Sequence, residues 1–470
     1  NCTMTTDPKA PYPSLTDLSE AFGQKTLKPS DVVEIQLDRI AQRDPVLGSF
    51  QAIYADDAMR AAKAADSAIE AGHRIGPFHG ISFALKDIFD VDGRVTACGS
   101  LALKNRISDR SGTLVRRLMA AGGILLGKTK TVECALGGWG TNQRMGTPRN
   151  PWDLDTARVP GGSSAGSGVA VASDLVTCAT GTDTGGSVRL PAAYCGLTGL
   201  KVSKNYLPTD GIYPLSHTLD TPGPMARSVA DVALMLAVMR GAGAWAIDQG
   251  MKNGQGLFAF QRASVRGLKL GIIDNSERQV CDADMLKSYD AAVDRLASLG
   301  AQISLFSAPD RYGDLADANG AITIFEGYGY HKALYEVAQN PMDEDVRKRM
   351  LTGRGMTAES HASNLRQKTT TQTRFQAAMS GFDALLTPTV TQAAPKLSDI
   401  DQDISPGHFT RPFNYLDMAA LSLPMAPTPQ GLPTSLQIVT RAGHEALSLQ
   451  IGAAFEAALG PRHQPDLSAL

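Results

Sequence analysis

The sequence has 470 residues, of which 43% are hydrophobic and 20% are charged, as in an ordinary globular protein. Its formal net charge is −2 and it contains no basic run, which argues against a nucleic-acid partner. No apolar run reaches the roughly 18 residues that span a bilayer, and the first residues lack the apolar core of a signal peptide, so we expect a cytoplasmic protein without a membrane partner.

Met4 is interpreted as the natural first residue, so residues 1–3 are expected to be an added segment. The six cysteines form no CxxC pair and no dense framework, which favours a reducing compartment. They are Cys2, Cys98, Cys134, Cys178, Cys195 and Cys281.

Helical and strand patterns begin to alternate in the first third of the chain. Residues 29–44 place apolar side chains on one helix face, with Ser30 as the expected N-cap. An alanine-rich helix follows and is expected to stop at Gly72. Residues 79–87, HGISFALKD, predict a short buried strand, and 111–123 predict a helix that leads into the next strand, ILLGK.

The alternation continues to the end of the chain, with helical pattern dominating from about residue 316 to residue 380. Strands are predicted at 174–180, 267–273, 301–306, 382–388 and 434–440, and further helices at about 284–299 and at 444–459. This order predicts an α/β fold with a central mixed or parallel twisted sheet covered by helices on both faces. Since no linker, repeat or low-complexity segment interrupts the chain, we expect one large domain over residues 1–470.

Two short motifs match known patterns without their structural context. Residues 122–129, GGILLGKT, satisfy the phosphate-loop pattern, but their apolar centre favours burial in a sheet. Residues 162–166, GSSAG, satisfy the nucleophile elbow of α/β-hydrolases, which would make Ser164 the nucleophile and use a downstream histidine, His408 or His444. The residues before them do not predict the strand that an elbow follows, so a helix start is favoured and the elbow is kept as an alternative.

Three polar positions stand in apolar or glycine-rich surroundings. Lys86 ends a strand that is predicted to be buried, Ser163 lies at a predicted helix start, and Ser187 lies in a GGS turn. Each has an ordinary interpretation when taken alone: a solvated strand-end lysine, a helix cap and a tight turn. No histidine lies near Ser187 in the sequence, so a nucleophilic Ser187 would need a base from elsewhere.

Taken together, these blocks resemble the amidase signature family. The segments GISFALKD, PGGSSAGSG and GTDTGGSVRLPAAYCGLTGLK are similar to its hallmark blocks, and the similarity runs from about Leu15 to Leu459, with its core at about residues 76–205. The resemblance implies that Ser187 is the nucleophile, that Ser163 is a bridging serine and that Lys86 is the base.

The implied chemistry sets conditions on Lys86. A serine hydroxyl is a weak nucleophile at neutral pH and needs an adjacent base. Lysine can be that base only when it is neutral, and burial disfavours its charged form. Asp87 must therefore point away from the Lys86 amine, as alternation along a strand predicts.

The resemblance also implies roles for the residues around the nucleophile. An oxyanion hole is expected from the backbone N–H groups of Thr184, Gly185, Gly186 and Ser187. Asp183 and Arg189 are interpreted as braces of this turn, and a cis peptide bond is expected between Gly162 and Ser163.

Four positions depart from the family pattern. Ser82 stands where proline is usual, Lys130 where asparagine is usual, and Asn205 and Tyr206 where a Gly-Arg pair is usual. These changes bear on local loop shape and on substrate choice.

The expected reaction is hydrolysis of amide-type carbon–nitrogen bonds in small molecules, with aryl amides favoured and carbamates (urethanes) as a further class. Gly137 and Gly138 are expected to leave room on the acyl side of the pocket, with Trp139 as an aromatic wall or a core residue.

No metal or organic cofactor is expected, since no cluster has metal-ligand spacing. The partners would be substrate and water, in a monomer or homodimer. An amidotransferase component working in a complex is the alternative from another class, and the intact trio disfavours a non-catalytic binding protein.

Overall fold

The computed structural model describes residues 12–470, so residues 1–3 and Cys2 lie outside the described residues. One mixed sheet of 11 strands runs through this part of the chain. Its strands are β1 (Phe50–Ile53), β2 (Ser82–Lys86), β3 (Ile124–Thr129), β4 (Cys178–Asp183), β5 (Thr198–Lys201), β6 (Thr221–Ala226), β7 (Lys269–Ile272), β8 (Gln302–Leu305), β9 (Ala384–Pro388), β10 (Ala419–Pro424) and β11 (Ser435–Thr440).

Fifteen α-helices lie within residues 12–470. They are α1 (Leu15–Gly23), α2 (Pro29–Leu47), α3 (Ala55–Glu70), α4 (Thr113–Ala120), α5 (Ala165–Ala172), α6 (Arg189–Cys195), α7 (Val229–Met239), α8 (Ala244–Asn253), α9 (Asn275–Arg278), α10 (Ala283–Ser298), α11 (Tyr312–Tyr335), α12 (Glu344–Leu351), α13 (Ala358–Ala378), α14 (Arg411–Tyr415) and α15 (Glu445–Leu459).

The strands follow the order β1-β3-β2-β4-β6-β5-β10-β11-β9-β7-β8. Pairing is parallel around β2 and around β7, and antiparallel elsewhere. Helices α5 and α6 pack on each other, as do α7 and α15, and both pairs contact the central strands. The expected α/β architecture with a mixed, helix-covered sheet is therefore present.

The first predicted helix is present, but its N-cap prediction is wrong. Helix α2 begins at Pro29 with Lys28 in the N-cap position, so Ser30 lies inside the first turn. Proline favours this first helical position because its missing N–H would have no partner there and its φ angle is already helical. The backbone N–H of Ser30 instead donates to Asp66 Oδ1 at 3.0 Å.

The register of β2 and β4 places the predicted site. These strands are parallel neighbours, with Ala84 opposite Ala179, so their carboxyl ends meet at one edge of the sheet. Lys86, the last residue of β2, therefore lies beside the end of β4. The turn that carries Ser187 begins immediately after that end.

Candidate active site

Lys86 is fully buried, with 0% of its surface exposed. Its Nζ donates to Ser163 Oγ at 2.7 Å and to Thr182 Oγ1 at 2.7 Å. Burial lowers the pKa of Lys86 to about 7, while the negative charges of Asp220 and Asp183 act in the opposite direction. A substantial fraction of this amine is therefore neutral near pH 7, so it can accept a proton.

Asp87 points to the other side of the strand, as alternation predicts. Its Oδ1 lies 3.3 Å from Lys128 Nζ, and its Oδ2 accepts a hydrogen bond from Ala97 N at 3.1 Å. The carboxylate next to Lys86 in the sequence is thus paired with a different lysine.

Ser163 lies in the loop before α5. The peptide bond between Gly162 and Ser163 is cis, as the resemblance implies. Gly162 is held close to the chain around Gly138, since its N–H donates to Gly138 O at 2.7 Å. A Cβ at Gly162 would stand 2.6 Å from the carbonyl oxygen of Gly137, so only glycine fits there.

Ser187 lies between β4 and α6 and faces an open cavity. Its carbonyl oxygen accepts from the N–H of Ser164 at 3.3 Å. Its hydroxyl makes no hydrogen bond to any residue of 12–470, so Ser163 Oγ contacts Lys86 but does not bond Ser187 Oγ. The structure thus brings Lys86, Ser163 and Ser187 to one site. Of the two hydrogen bonds that a proton relay needs, it forms the one between Lys86 and Ser163 but not the one between Ser163 and Ser187.

The turn around Ser187 leaves backbone donors unused. Its carbonyl groups are occupied, because Thr184 O accepts from Asn319 Nδ2 at 3.1 Å and Gly185 O accepts from Thr410 Oγ1 at 2.7 Å. The N–H groups of Thr184, Gly185 and Ser187 have no hydrogen-bond acceptor within the described chain. They are available to an oxyanion.

Gly186 differs from its neighbours in the turn. Its N–H already donates to Asp183 Oδ1 at 2.8 Å, so this expected oxyanion donor is engaged within the protein. Its φ angle is +133°, and a Cβ there would stand 2.4 Å from Thr410 Oγ1. Gly186 therefore shapes the turn, and the donor set narrows to the three N–H groups of its neighbours.

Asp183 and Arg189 form a buried ion pair beneath the turn, with Arg189 Nη2 2.8 Å from Asp183 Oδ1. Burial opposes ionisation of Asp183, but Arg189, Lys201 and Asn414 outweigh it and lower the pKa of Asp183 to about 2. Arg189 also donates to Gln437 Oε1 at 2.7 Å and to Asn414 Oδ1 at 2.6 Å. These contacts connect the segment beneath the turn to β11 and α14.

Asp220 is a site residue that the sequence reasoning missed. Its Oδ1 accepts from Thr184 Oγ1 at 2.5 Å, and its Oδ2 accepts from the N–H groups of Leu215 and Ser216 at 2.9 and 3.0 Å. It thus orients the first residue of the turn and places a negative charge near Lys86. No local motif around Asp220 marks it.

The cavity in front of Ser187 has a volume of about 610 Å³. Gly137, Gly138 and Trp139 line it, as expected. Trp139 is also a core residue, because its ring stacks on Tyr194 and its Nε1 donates to Ile404 O at 2.8 Å. A Cβ at Gly138 would lie 2.8 Å from Pro406, so the absence of a side chain lets this neighbouring loop approach.

The two rejected motifs have structural roles. Residues 124–129 form the strand β3. Ser164 is fully buried at the start of α5, and its Oγ accepts from Thr182 N at 3.3 Å. It does not line the cavity, and His408, which does, is paired with Glu277 at 2.6 Å. The elbow alternative therefore lacks its geometry.

None of the four departures from the family pattern lines the cavity. Ser82 Oγ bonds Thr177 Oγ1 at 2.8 Å, and the Tyr206 ring lies under the Arg240 guanidinium. Asn205 has a φ angle of +62°, which asparagine tolerates better than most residues and which suits the glycine usual there. Lys130 lies beside Gly146. These residues affect local loop shape.

Comparison with known proteins shows which family the chain belongs to. The family described as Amidase matches residues 31–449. The chain belongs to the amidase family. It is accordingly a hydrolase that acts on amide-type carbon–nitrogen bonds.

Relatives and solved structures cover nearly the whole chain. The chain is 32% identical to the A subunit of the glutamyl-tRNA(Gln) amidotransferase of Acidothermus cellulolyticus, over 95% of this chain and 94% of that protein. It is 33% identical to 2-amino-5-chloromuconic acid deaminase of Comamonas testosteroni, over 97% of this chain and 99% of that protein. The native peptide amidase of Stenotrophomonas maltophilia superposes with a TM-score of 0.83 at 27% identity, covering 97% of this chain and 99% of that one.

Residues 12–470 contain neither a membrane span nor a metal-binding cluster. No helix there is long and apolar enough to cross a membrane. No group of three or more His, Cys, Asp or Glu side chains in that range could hold a metal ion. The five described cysteines are free thiols.

Proposed function

We propose that this amidase hydrolyses small-molecule amides through an acyl-enzyme on Ser187. The observation that carries the proposal is the buried contact of 2.7 Å between Lys86 Nζ and Ser163 Oγ, beside a serine that faces an open cavity. Lys86 takes a proton from Ser163, Ser163 takes one from Ser187, and the Ser187 oxygen attacks the carbonyl carbon. The N–H groups of Thr184, Gly185 and Ser187 hold the oxyanion, and Ser163 then protonates the leaving nitrogen.

Aryl amides are the substrates we favour, with aryl carbamates as a second class. Trp139 and Leu190 give the cavity an apolar wall, and its volume suits a substrate with a ring. The reaction consumes water and needs no cofactor. The proposed state is a monomer or homodimer in the cytoplasm.

A component of an amidotransferase complex is the second candidate, supported by the similarity to the A subunits of glutamyl-tRNA(Gln) amidotransferases. Such a component would show weak activity alone and would co-purify with a partner. A hydrolysis panel of aryl amides, aliphatic amides and aryl carbamates, run on the purified chain alone, separates the two.

The mechanism is tested with a fluorophosphonate probe that labels activated serines. The adduct should be found on Ser187 by mass spectrometry. Ser187→Ala should lose both labelling and hydrolysis, whereas Ser164→Ala, the matched neighbour, should keep its label. An adduct on Ser164 would restore the elbow alternative and refute the proposed relay.

A further inference from the structure

Arg411 lies at the Ser187 cavity, where its side chain packs against three glycines. It is the first residue of α14, and its side chain lines the cavity. A Cβ at Gly185 or at Gly407 would lie 3.1 or 3.0 Å from Arg411 Cγ, and one at Gly320 would lie 3.4 Å from its Nη1. Side chains at Gly185 and Gly407 would crowd the arginine, whereas one at Gly320 would make ordinary van der Waals contact with it.

The guanidinium of Arg411 has no partner within residues 12–470. It makes neither a hydrogen bond nor an ion pair there, whereas Arg349 in the same cavity donates to Gln402 O and Leu136 O, both at 3.0 Å. Burial lowers the pKa of Arg411 to about 10, with Asp317 opposing and Arg349 adding to the decrease. The group therefore stays charged at neutral pH, and a partly desolvated guanidinium with five unused N–H donors is unfavourable without an acceptor.

The carboxylates of the cavity do not supply that acceptor. Asp403 pairs with Lys348 at 2.6 Å. Asp317 lies on the exposed face of α11 and acts on Arg411 only through its charge, without an ion pair. The guanidinium is therefore left to solvent or to a ligand in the cavity.

We propose that Arg411 binds a carboxylate of the substrate. A guanidinium binds a carboxylate through two parallel hydrogen bonds, which fix orientation as well as affinity. The Arg411 side chain packs against Gly185, whose N–H is a proposed oxyanion donor, so the carboxylate lies a short distance from the scissile carbonyl. The substrate class is thus an amide with an acidic group on a short spacer. This inference rests on the proposed function, because it concerns the same cavity.

The test compares succinic acid monoanilide with its methyl ester, two anilides that differ in one negative charge. The wild-type enzyme should prefer the acid. Arg411→Met should lower the acid-to-ester ratio of kcat/KM by about 10- to 100-fold, mainly through KM, because a charged hydrogen-bond pair is lost. Arg411→Lys should recover part of the ratio, and Asp317→Asn should raise it. An equal loss on both substrates would indicate a structural role and overturn the inference, as would a wild type that prefers the ester.

A second measurement does not depend on turnover. Succinate should slow fluorophosphonate labelling of Ser187 in the wild type and in Arg411→Lys, but not in Arg411→Met. Labelling that succinate leaves unchanged in the wild type refutes the carboxylate site while leaving the proposed hydrolase intact. Absence of labelling at Ser187, with or without succinate, refutes the proposed function itself.

Discussion

Two buried lysines on neighbouring strands have different environments. Lys86 on β2 and Lys128 on β3 are both 0% exposed. Lys86 contacts only hydroxyl groups, those of Ser163 and Thr182. Lys128 contacts the Asp87 carboxylate at 3.3 Å and Thr96 Oγ1 at 2.6 Å.

The difference shows that burial alone does not make a lysine a base. Burial lowers the pKa of both amines, but Asp87 directly contacts Lys128 and favours its charged form. The hydroxyl partner of Lys86 can give up a proton and receive it back, whereas a carboxylate partner holds the proton on the lysine. The chemical identity of the contacting atom thus separates a candidate catalytic lysine from a structural one.

The largest expected effect comes from Lys86→Arg. Arginine keeps the positive charge but cannot lose its proton at a working pH, so kcat should fall by about 10³-fold or more. Steady-state hydrolysis of a reactive anilide measures the loss, and circular dichroism checks the fold. The matched variant Lys128→Arg keeps its ion pair and should keep most activity. Wild-type-like turnover in Lys86→Arg would mean that the base lies elsewhere.

Replacing Lys128 should lower the stability more than replacing Lys86 does, which is the reverse of the order expected for activity. Lys128→Met leaves Asp87 buried without its partner and should lower the free energy of unfolding by about 3–5 kcal/mol. Lys86→Met removes an amine that has no carboxylate partner, so its cost should be much smaller. Urea denaturation measures both. Equal losses would contradict the proposed distinction, and Lys128→Met combined with Asp87→Leu should recover part of the loss.

The pH dependence of kcat/KM tests the state of Lys86. Activity should rise with pH through about 7, because the neutral amine is required and the pKa of Lys86 is about 7. Asp220→Asn removes a negative charge that favours protonated Lys86, so the rising limb should move to lower pH by about half a unit. The control Asp210→Asn, on an exposed residue, should leave the limb in place. A shift to higher pH would contradict the assignment.

The smallest expected effect is that of a chelator. In the proposed mechanism Lys86 and the serines supply the proton transfers, so dialysis against EDTA should leave the hydrolysis rate unchanged. Loss of activity that zinc restores would refute this expectation.

The sequence predicted those parts of the fold whose pattern is local. Residues 79–87 predict a buried strand, and β2 lies there. Strand β6 was missed because Pro222 and Pro224 argue against a paired strand. Both are accommodated because β5 pairs with β6 only at Met225 and Ala226, beyond the prolines.

The candidate site was predictable only in part, because some of its features depend on residues that are distant in the sequence. The resemblance identified Lys86, Ser163 and Ser187 as candidate catalytic residues, because the motifs around them are distinctive. The engaged N–H of Gly186 and the unpaired Arg411 depend on contacts between distant segments. The charge of Asp220 acts on Lys86 from 134 residues away in the chain, which no local pattern records.

The hairpin of β10 and β11 joins two halves of the sheet, since it lies between β5 and β9. The same C-terminal region supplies Thr410, Asn414 and Gln437, which contact the turn around Ser187 and the Asp183–Arg189 pair beneath it. During synthesis on a ribosome, the trio is therefore complete long before the segments that fix its geometry emerge. A nascent chain lacking its last 60 or so residues would contain all three proposed catalytic groups but would lack Asn414 and Gln437, so we expect activity to appear only when translation is nearly finished.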